Sequence, residues 1–485
     1  MKLSQLLTSI ADIRQDCEIA GLCLDSRKVS AGDLFIAVNG ALRHGLQHAP
    51  QALERGAAAV IYDPAGIDDA GLARAEFIPI ANLSRQLGEI AARFYDRPSQ
   101  KLDVIGITGT NGKTTCSQLV AQALANCGVI GTLGWGEPGQ LNDTVNTTPD
   151  ALAVQRILGT LAGQGKKTVV MEVSSHGLEQ GRVNAVEFKG AVFTNLSRDH
   201  LDYHGTMQAY LRAKLALFKY PTLQFAVVNL DDDSSEAVLE TLPRHVKCWG
   251  FSIAGRQVAR VECIESLNVR HSAAGIQFDA HWAGQCARAT TEVVGAFNLQ
   301  NVLTVLCVLL ALDWPFDKAV AQLACLKAVS GRMEAFGGAG KPAVIVDYAH
   351  TPDALEKLLR AARGPGELWA VFGCGGDRDK GKRPLMGRIA ETYADHVVVT
   401  DDNPRSEDSA AIVRDIVSGC SSNKISIIYD RNTAINTVIQ QANPTDCVVI
   451  AGKGHENYQE IKGVKIPFSD QAVVTQALAA WSPTA

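Results

Sequence analysis

The segment Val104-Ile-Gly-Ile-Thr-Gly-Thr-Asn-Gly-Lys-Thr-Thr115 sets an apolar, strand-like run directly before glycines, a lysine and two threonines. That order suits a polyphosphate. Gly109 and Gly112 let backbone N–H groups approach phosphate oxygens, and a helix beginning near Lys113 adds its positive end. Lys113 can reach the β and γ oxygens, and the Thr114 hydroxyl suits Mg²⁺. With Thr110, Asn111 and Thr115 these residues make the expected cradle for ATP or GTP. The general loop pattern asks for a glycine five residues before Gly112, where this chain has Ile107 and carries Gly106 one place earlier.

Other residues with chemical potential follow strand-like runs. Glu172 ends one such run, where a carboxylate can hold Mg²⁺. His200 follows another, but histidine is an unusual ligand for a hard cation, and the residue alone favours a hydrogen-bonding structural role. Lys214, within Tyr210-Leu-Arg-Ala-Lys-Leu-Ala-Leu-Phe218, reads by itself as a solvated surface lysine. Asn298 reads as a helix cap, Arg332 as a surface ion pair, and Thr147-Thr148-Pro149 as a turn or cap. For Arg182, charge and fork geometry suit a carboxylate or phosphate.

The chain carries these residues within a longer series of motifs. Gly109-Thr-Asn-Gly-Lys-Thr114 resembles the loop of the Mur ligases and the related folylpolyglutamate synthases. The departure at Ile107 belongs to that likeness. Glu172-Val-Ser-Ser-His-Gly-Leu178, Asn195-Leu-Ser-Arg-Asp-His-Leu-Asp-Tyr-His-Gly205, Asp347-Tyr-Ala-His-Thr-Pro-Asp353, Gly376-Asp-Arg-Asp-Lys-Gly-Lys-Arg-Pro384, Asp402-Asn-Pro-Arg405 and Gly452-Lys-Gly-His-Glu456 extend the resemblance, in family order, over nearly the whole chain.

The resemblance implies an ATP-dependent ligase that activates a carboxylate as an acyl phosphate and passes it to an amine, releasing ADP and phosphate. It implies UDP-N-acetylmuramoyl-L-alanyl-D-glutamate and meso-2,6-diaminopimelate as partners, in peptidoglycan synthesis. It assigns Glu172 and His200, with Thr114, to Mg²⁺. Lys214 matches a position carbamylated by CO₂, and burial near the metal would favour that change by lowering the lysine pKa. Lys113, Glu172, His200 and Lys214 are thus the expected catalytic residues. Asn298, Arg332, Asp347 and His350 match nucleotide-contacting positions. Leu24 and Ser26 match the uridine end of the sugar site; Asn146, Thr147, Thr148, Ser174, Gln180 and Arg182 match its peptide end. Arg378, Asp402, Asn403, Pro404, Arg405, Gly452 and Glu456 match the diaminopimelate site, with Arg405 as the expected selector. The alternatives are an L-lysine-adding Mur ligase, a folylpolyglutamate synthase-like ligase, and a non-enzymatic nucleotide-gated binding protein.

These loops need a scaffold, and 485 residues exceed what one core usually serves. Arg97-Pro-Ser-Gln-Lys101 punctuates the chain before the glycine loop, and the strand-helix rhythm restarts near Gly331. The expected domains are 1–98, a small N-terminal α/β unit for the UDP-sugar; 99–330, a central P-loop unit with a mostly parallel sheet; and 331–485, a Rossmann-like doubly wound unit for the amino acid. Strands are expected at Leu34–Val38, Thr168–Val173, Ala191–Asn195, Phe225–Asn229, Ala343–Asp347, Leu368–Phe372, His396–Thr400 and Cys447–Ala451, with a helix at Pro50–Arg55. Apolar residues are 46% and charged ones 20%, with a net charge of -5, so nothing electrostatic argues for nucleic acid or an anionic membrane. Val302 to Leu312 is too short to span a bilayer and reads as a buried helix, and Met1-Lys-Leu-Ser-Gln-Leu-Leu lacks a signal-peptide core. The expectation is a cytoplasmic monomer. Twelve cysteines occur with no CxxC pair, so they read as reduced residues without assigned function.

Overall fold

The computed structural model describes residues 1–40, 43–67, 76–272, 274–338, 340–421 and 425–482. The chain forms two compact units. The first comprises Met1–Gly106, Asn126–Ala191 and Ala216–Gln224; the second comprises Ile107–Ala125, Val192–Leu215 and Phe225–Ala485.

In the first unit, strands Gly21–Cys23, Asp33–Ala37, Ala59–Tyr62 and Phe77–Pro79 lie in that order and pair in parallel. Parallel strands are covered on both faces, and the sequence Leu34-Phe-Ile provides for both: Leu34 and Ile36 join one apolar cluster, Phe35 the other. Helix Leu83–Phe94 covers the first cluster with Leu83, Leu87, Ile90 and Ala91, spaced for one helical face. The expected helix at Pro50–Arg55 spans Ala49–Glu54, with Pro50 in its first turn. Further along, the fully buried strands Cys127–Gly131 and Thr168–Glu172 pair in parallel. Two short antiparallel strands, Gly134–Glu137 and Gln140–Asn142, extend this pair.

The glycine loop crosses into the second unit. Strand Asp103–Thr108 leads into it and helix Lys113–Ala123 leaves it. Gly109 and Gly112 have φ of +150° and +85°. A Cβ on Gly109 would strike the Thr194 hydroxyl, and one on Gly112 would sit 2.8 Å from Asn301 Oδ1, so neither position admits a larger residue without displacement. Strands Phe225–Asn229, Lys247–Ser252 and Val261–Ser272 pair in parallel, and Gly275–Trp282 and Gln285–Thr291 add antiparallel ones. The apolar run at Val302–Leu312 lies in helix Asn298–Ala311, buried along most of its length.

A second sheet in this unit runs in the order Glu334–Gly338, Lys341–Asp347, Cys447–Ala451, Leu368–Phe372, His396–Val399 and Ile425–Ile427. All neighbours are parallel except the first pair. Register places Asp347 beside Ala451, Val371 beside Ile450 and Phe372 beside Val399, so the four expected strands end side by side and open their motif loops along one edge. Apolar clusters built on alternate residues fill both faces, with Ala370 and Phe372 in one and Val371 in the other. Among the described residues no helix is long and apolar enough to cross a membrane.

Candidate active site

The glycine loop is fixed by side chains from the segment after Phe193. Thr194 Oγ1 donates to Asn111 O at 2.6 Å, Asn195 Nδ2 to the same oxygen at 3.1 Å, and Asn111 N donates to Asn195 Oδ1 at 2.9 Å. Lys113 Nζ folds back onto Gly109 O and Thr110 O at 2.8 and 2.9 Å, which holds its ammonium over the loop. The C-terminal motifs reach the same loop. Arg332 Nη2 donates to Thr114 Oγ1 at 3.1 Å, and Asn111 Nδ2 donates to Asp353 Oδ2 at 3.0 Å. Thr115, Asn298, Arg332, Val293 and Met333 line one small pocket beside the first turn of the loop helix. Asn298 is therefore no simple cap: its Nδ2 donates to Val294 O, and its Oδ1 accepts from Asn301. Arg332 also stacks 4.4 Å over the Tyr348 ring, which replaces the surface ion pair expected from its residue type.

Lys214 is not on the surface. Its helix, Met207–Leu215, turns Tyr210 and Lys214 inward, and Lys214 is 1% exposed. Nζ donates to Gly109 O at 2.7 Å and lies 4.3 Å over the Tyr210 ring. Burial first, and then the Lys113 ammonium, push its pKa well below the ordinary lysine value, against an opposing pull from Asp199. The sign of the pH effect follows. Between that lowered value and the ordinary one the unfolded chain binds the proton and the native one does not, so stability rises with pH across the window. In CO₂-free buffer the melting temperature of wild type should climb relative to Lys214→Met as the pH rises toward the ordinary lysine value of about 10. Parallel curves for the two proteins would contradict the buried-amine reading.

Asp199, which carries no role in the sequence reading, is buried beside Lys382, and the half-buried His200 and His350 face it. Its carboxylate lies 3.4 Å from Lys382 Nζ, 3.4 Å from His200 Nε2 and 3.5 Å from His350 Nε2. Burial alone would raise this carboxyl, but Lys382, His350 and His200 together hold it well below the usual range. Asp199 orients both histidines named from sequence. Asp347 is held differently: its oxygens accept from Met333 N and Ala349 N, both at 2.7 Å, and burial raises its pKa against the pull of Arg332.

In the first unit, Glu172 is 1% exposed and accepts from Thr132 N and Oγ1 at 2.8 and 3.1 Å. Its carboxylate packs on Gly131, where a Cβ would displace it. Thr147 joins through Thr132 at 3.0 Å. Thr148 Oγ1 bridges Glu172 O at 2.9 Å and Ser174 Oγ at 3.1 Å, and Arg182 donates to Thr148 O and to Gln180 Oε1. Glu172, Thr147, Thr148, Ser174, Gln180 and Arg182 thus form one network. Asn146 is exposed beside it. Leu24 and Ser26 sit after the first parallel strand, where Ser26 Oγ donates to Gln51 Oε1 at 2.7 Å.

The remaining predicted residues gather at the second sheet's edge. Arg405, 20% exposed in its side chain, donates from Nη1 to Gly376 O at 2.8 Å and pairs through Nε with Glu460 at 3.3 Å. Its φ of +53° bends the chain after Pro404, and its backbone bridges to Ile461. Gly375 abuts both Arg405 and Arg378. Asp402 Oδ2 would lie 2.5 Å from a Cβ on Gly452. Asn403 Nδ2 donates to Glu456 Oε2 at 2.8 Å, and the fully buried Lys453 donates to both Asn403 Oδ1 and Glu456 Oε2. Lys453 lies within the motif Gly452-Lys-Gly-His-Glu456, but nothing in its residue type signals this role.

A glycine cradle opening a buried helix, with motif loops along the carboxyl edge of a parallel sheet, defines an α/β P-loop protein. Family models match in three places: the Mur ligase family catalytic domain at 18–95, the Mur ligase middle domain at 107–309, and the Mur ligase glutamate ligase domain at 331–454. The chain belongs to the Mur ligase family and has its three-domain α/β fold. It is 48% identical to the UDP-N-acetylmuramoyl-L-alanyl-D-glutamate–2,6-diaminopimelate ligase of Ectopseudomonas mendocina, with 99% of each chain covered, and 48% identical to that of Pseudomonas aeruginosa over the same shares. A solved structure of a ligase with that name superposes with a TM-score of 0.67 at 38% identity, covering 95% of each chain.

Proposed function

We propose that the chain is an ATP-dependent ligase that joins meso-2,6-diaminopimelate to the D-glutamate γ-carboxylate of UDP-N-acetylmuramoyl-L-alanyl-D-glutamate, in the cytoplasm and as a monomer. Full-length similarity to diaminopimelate ligases carries this reading, since both the nucleotide motifs and Asp402-Asn-Pro-Arg405 fall within it.

The carboxylate attacks the γ-phosphorus of ATP, giving an acyl phosphate and ADP. The amine then attacks the acyl carbon, the C–N bond forms, and phosphate leaves. Phosphoryl transfer is mainly placement and charge neutralisation. Lys113 supplies a cation to the β and γ oxygens, and the loop amides Gly109–Thr115 hold the phosphates. Asn298 and Arg332, beside the first turn of the loop helix, contact the nucleotide, with Asp347 and His350 near it. Among the described residues no three histidine, cysteine or acidic side chains already form a metal site. In the second unit Thr114 offers Mg²⁺ a hard oxygen and His200 a nitrogen, and substrate phosphates can complete the shell; Glu172, in the first unit, is a donor of the same hard kind. Mg²⁺ there would neutralise charge on the transferring phosphoryl group.

Lys214 is suited to carbamylation because burial lowers the proton affinity of its amine, the neutral form of which is a nucleophile for CO₂, and the product replaces a cation with oxygen donors. Lys214→Ala should lose most ligase activity, recover nothing from bicarbonate and recover partly with acetate. Wild-type rates in the variant would remove this role.

The network of Thr147, Thr148, Ser174, Gln180 and Arg182, with Asn146, meets the peptide end of the UDP-sugar, and Leu24 and Ser26 meet the uridine end. Arg378, Asp402, Asn403, Pro404, Arg405, Gly452 and Glu456 hold diaminopimelate. The domains divide these tasks as 1–98, 99–330 and 331–485. Phosphate release from ATP should require both the UDP-sugar dipeptide and the diamino acid. Release that ignores either one would favour a nucleotide-gated binding protein.

A further inference from the structure

Arg431 and Asp470 face each other with fully buried side chains, 0% exposed in both. Arg431 Nε and Nη2 donate to Asp470 Oδ1 and Oδ2, each at 2.8 Å. Each residue opens a helix, Arg431–Gln441 after the capping Asp430 and Asp470–Ala479 after the capping Ser469. A buried pair of this kind seldom adds stability over apolar side chains of the same volume, so packing gives little reason for it.

The rest of the guanidinium points to another role. Nη2 donates to Ala451 O at 2.9 Å and Nη1 to Asp401 O at 3.4 Å. Those carbonyls belong to the residues immediately before Gly452 and Asp402. They are the roots of the two loops, 402–405 and 452–456, that meet where Asn403 donates to Glu456 and where Asp402 packs on Gly452. One planar cation therefore grips both loop bases, and Asp470 fixes the plane of its fork.

We infer that Arg431 is a positioning residue for the diamino acid, setting the spacing between the two loops that bind it by holding the backbone at the root of each. The inference rests on the proposed assignment of those loops to diaminopimelate. Arg431 touches no substrate; it acts through Asp402, Asn403, Gly452 and Glu456. Polar sites lose affinity steeply when their groups drift, and a misplacement of about 1 Å can reduce turnover about 10²-fold.

The double variant Arg431→Met/Asp470→Leu replaces the pair with apolar side chains of similar volume and strands no charge. Its KM for diaminopimelate should rise about tenfold or more, while KM for ATP and for the UDP-sugar dipeptide stays within about twofold. Asp470→Asn keeps Arg431 on both carbonyls, so it should lower the melting temperature with little change in the diaminopimelate KM. Arg431→Lys keeps the cation without the fork and should fall between wild type and the double variant. If the double variant does not fold, Arg431→Lys decides. An unchanged diaminopimelate KM in the folded Arg431 variants, or an equal rise for every substrate, overturns the inference. A wild-type enzyme that ignores diaminopimelate removes the assignment beneath it, a result distinct from a selective wild type whose Arg431 variants keep its KM.

Discussion

Lys113→Ala should lower ligation by about 10³-fold or more, because a phosphate-binding cation is worth that much where catalysis is mostly electrostatic. The fold should survive. Lys113 is partly exposed at the start of its helix, and its ammonium donates to the loop carbonyls of Gly109 and Thr110. Substitutions of that kind leave the core intact. Thermal melting and ATP-dependent phosphate release on the same preparation separate the two effects. Activity near wild type in a folded variant would remove the cradle from the mechanism, and with it the assignment of Thr114 and the loop amides.

Arg405→Ala should raise the diaminopimelate KM by about 10- to 100-fold, the range expected when a hydrogen-bonded charge pair is lost, and leave the ATP KM nearly unchanged. Lysine lacks the second carboxylate of diaminopimelate at its far end. A fork that finds no anion is the kind of mismatch that polar sites can turn into roughly 10⁴-fold discrimination. The structure moderates that figure. Glu460 already pairs with Nε of Arg405, so bound lysine would leave only part of the guanidinium unmet. The variant should therefore narrow the preference without abolishing it, because Arg378 lies against the same glycine as Arg405. Undiminished selectivity in Arg405→Ala would assign the choice of substrate elsewhere.

The parts of this account legible in sequence were those marked by local chemistry. Strand Asp103–Thr108, the turn at Gly109 and Gly112, and a helix opening at Lys113 follow from an apolar run, residues tolerant of positive φ and the stop between them. The largely buried parallel strands Phe225–Asn229, Leu368–Phe372 and Cys447–Ala451 coincide with the expected runs to the residue because they are almost wholly apolar. The long strand Val261–Ser272 and its antiparallel neighbours were not, since much of that strand is exposed and its residues alternate too weakly to stand out.

Residue type alone places Lys214 on the surface because one lysine on a helix gives no sign of which face it occupies; the Tyr210 ring and Gly109 carbonyl identify the inner face. Asp199 with Lys382, and Arg431 with Asp470, are pairings across 183 and 39 residues. No local pattern encodes such a partner. Asp199, Lys382 and Lys453 nevertheless all lie inside the motif segments.

Ligase chemistry and substrate choice are read together from the mass of the product that wild-type enzyme forms with ATP, Mg²⁺, UDP-N-acetylmuramoyl-L-alanyl-D-glutamate and equal amounts of meso-2,6-diaminopimelate and L-lysine. A single product is expected, heavier than the UDP-sugar dipeptide by one diaminopimelate residue, with one ADP and one phosphate released for each amide formed. Equal incorporation of lysine, or ATP hydrolysis without any amide product, would contradict it.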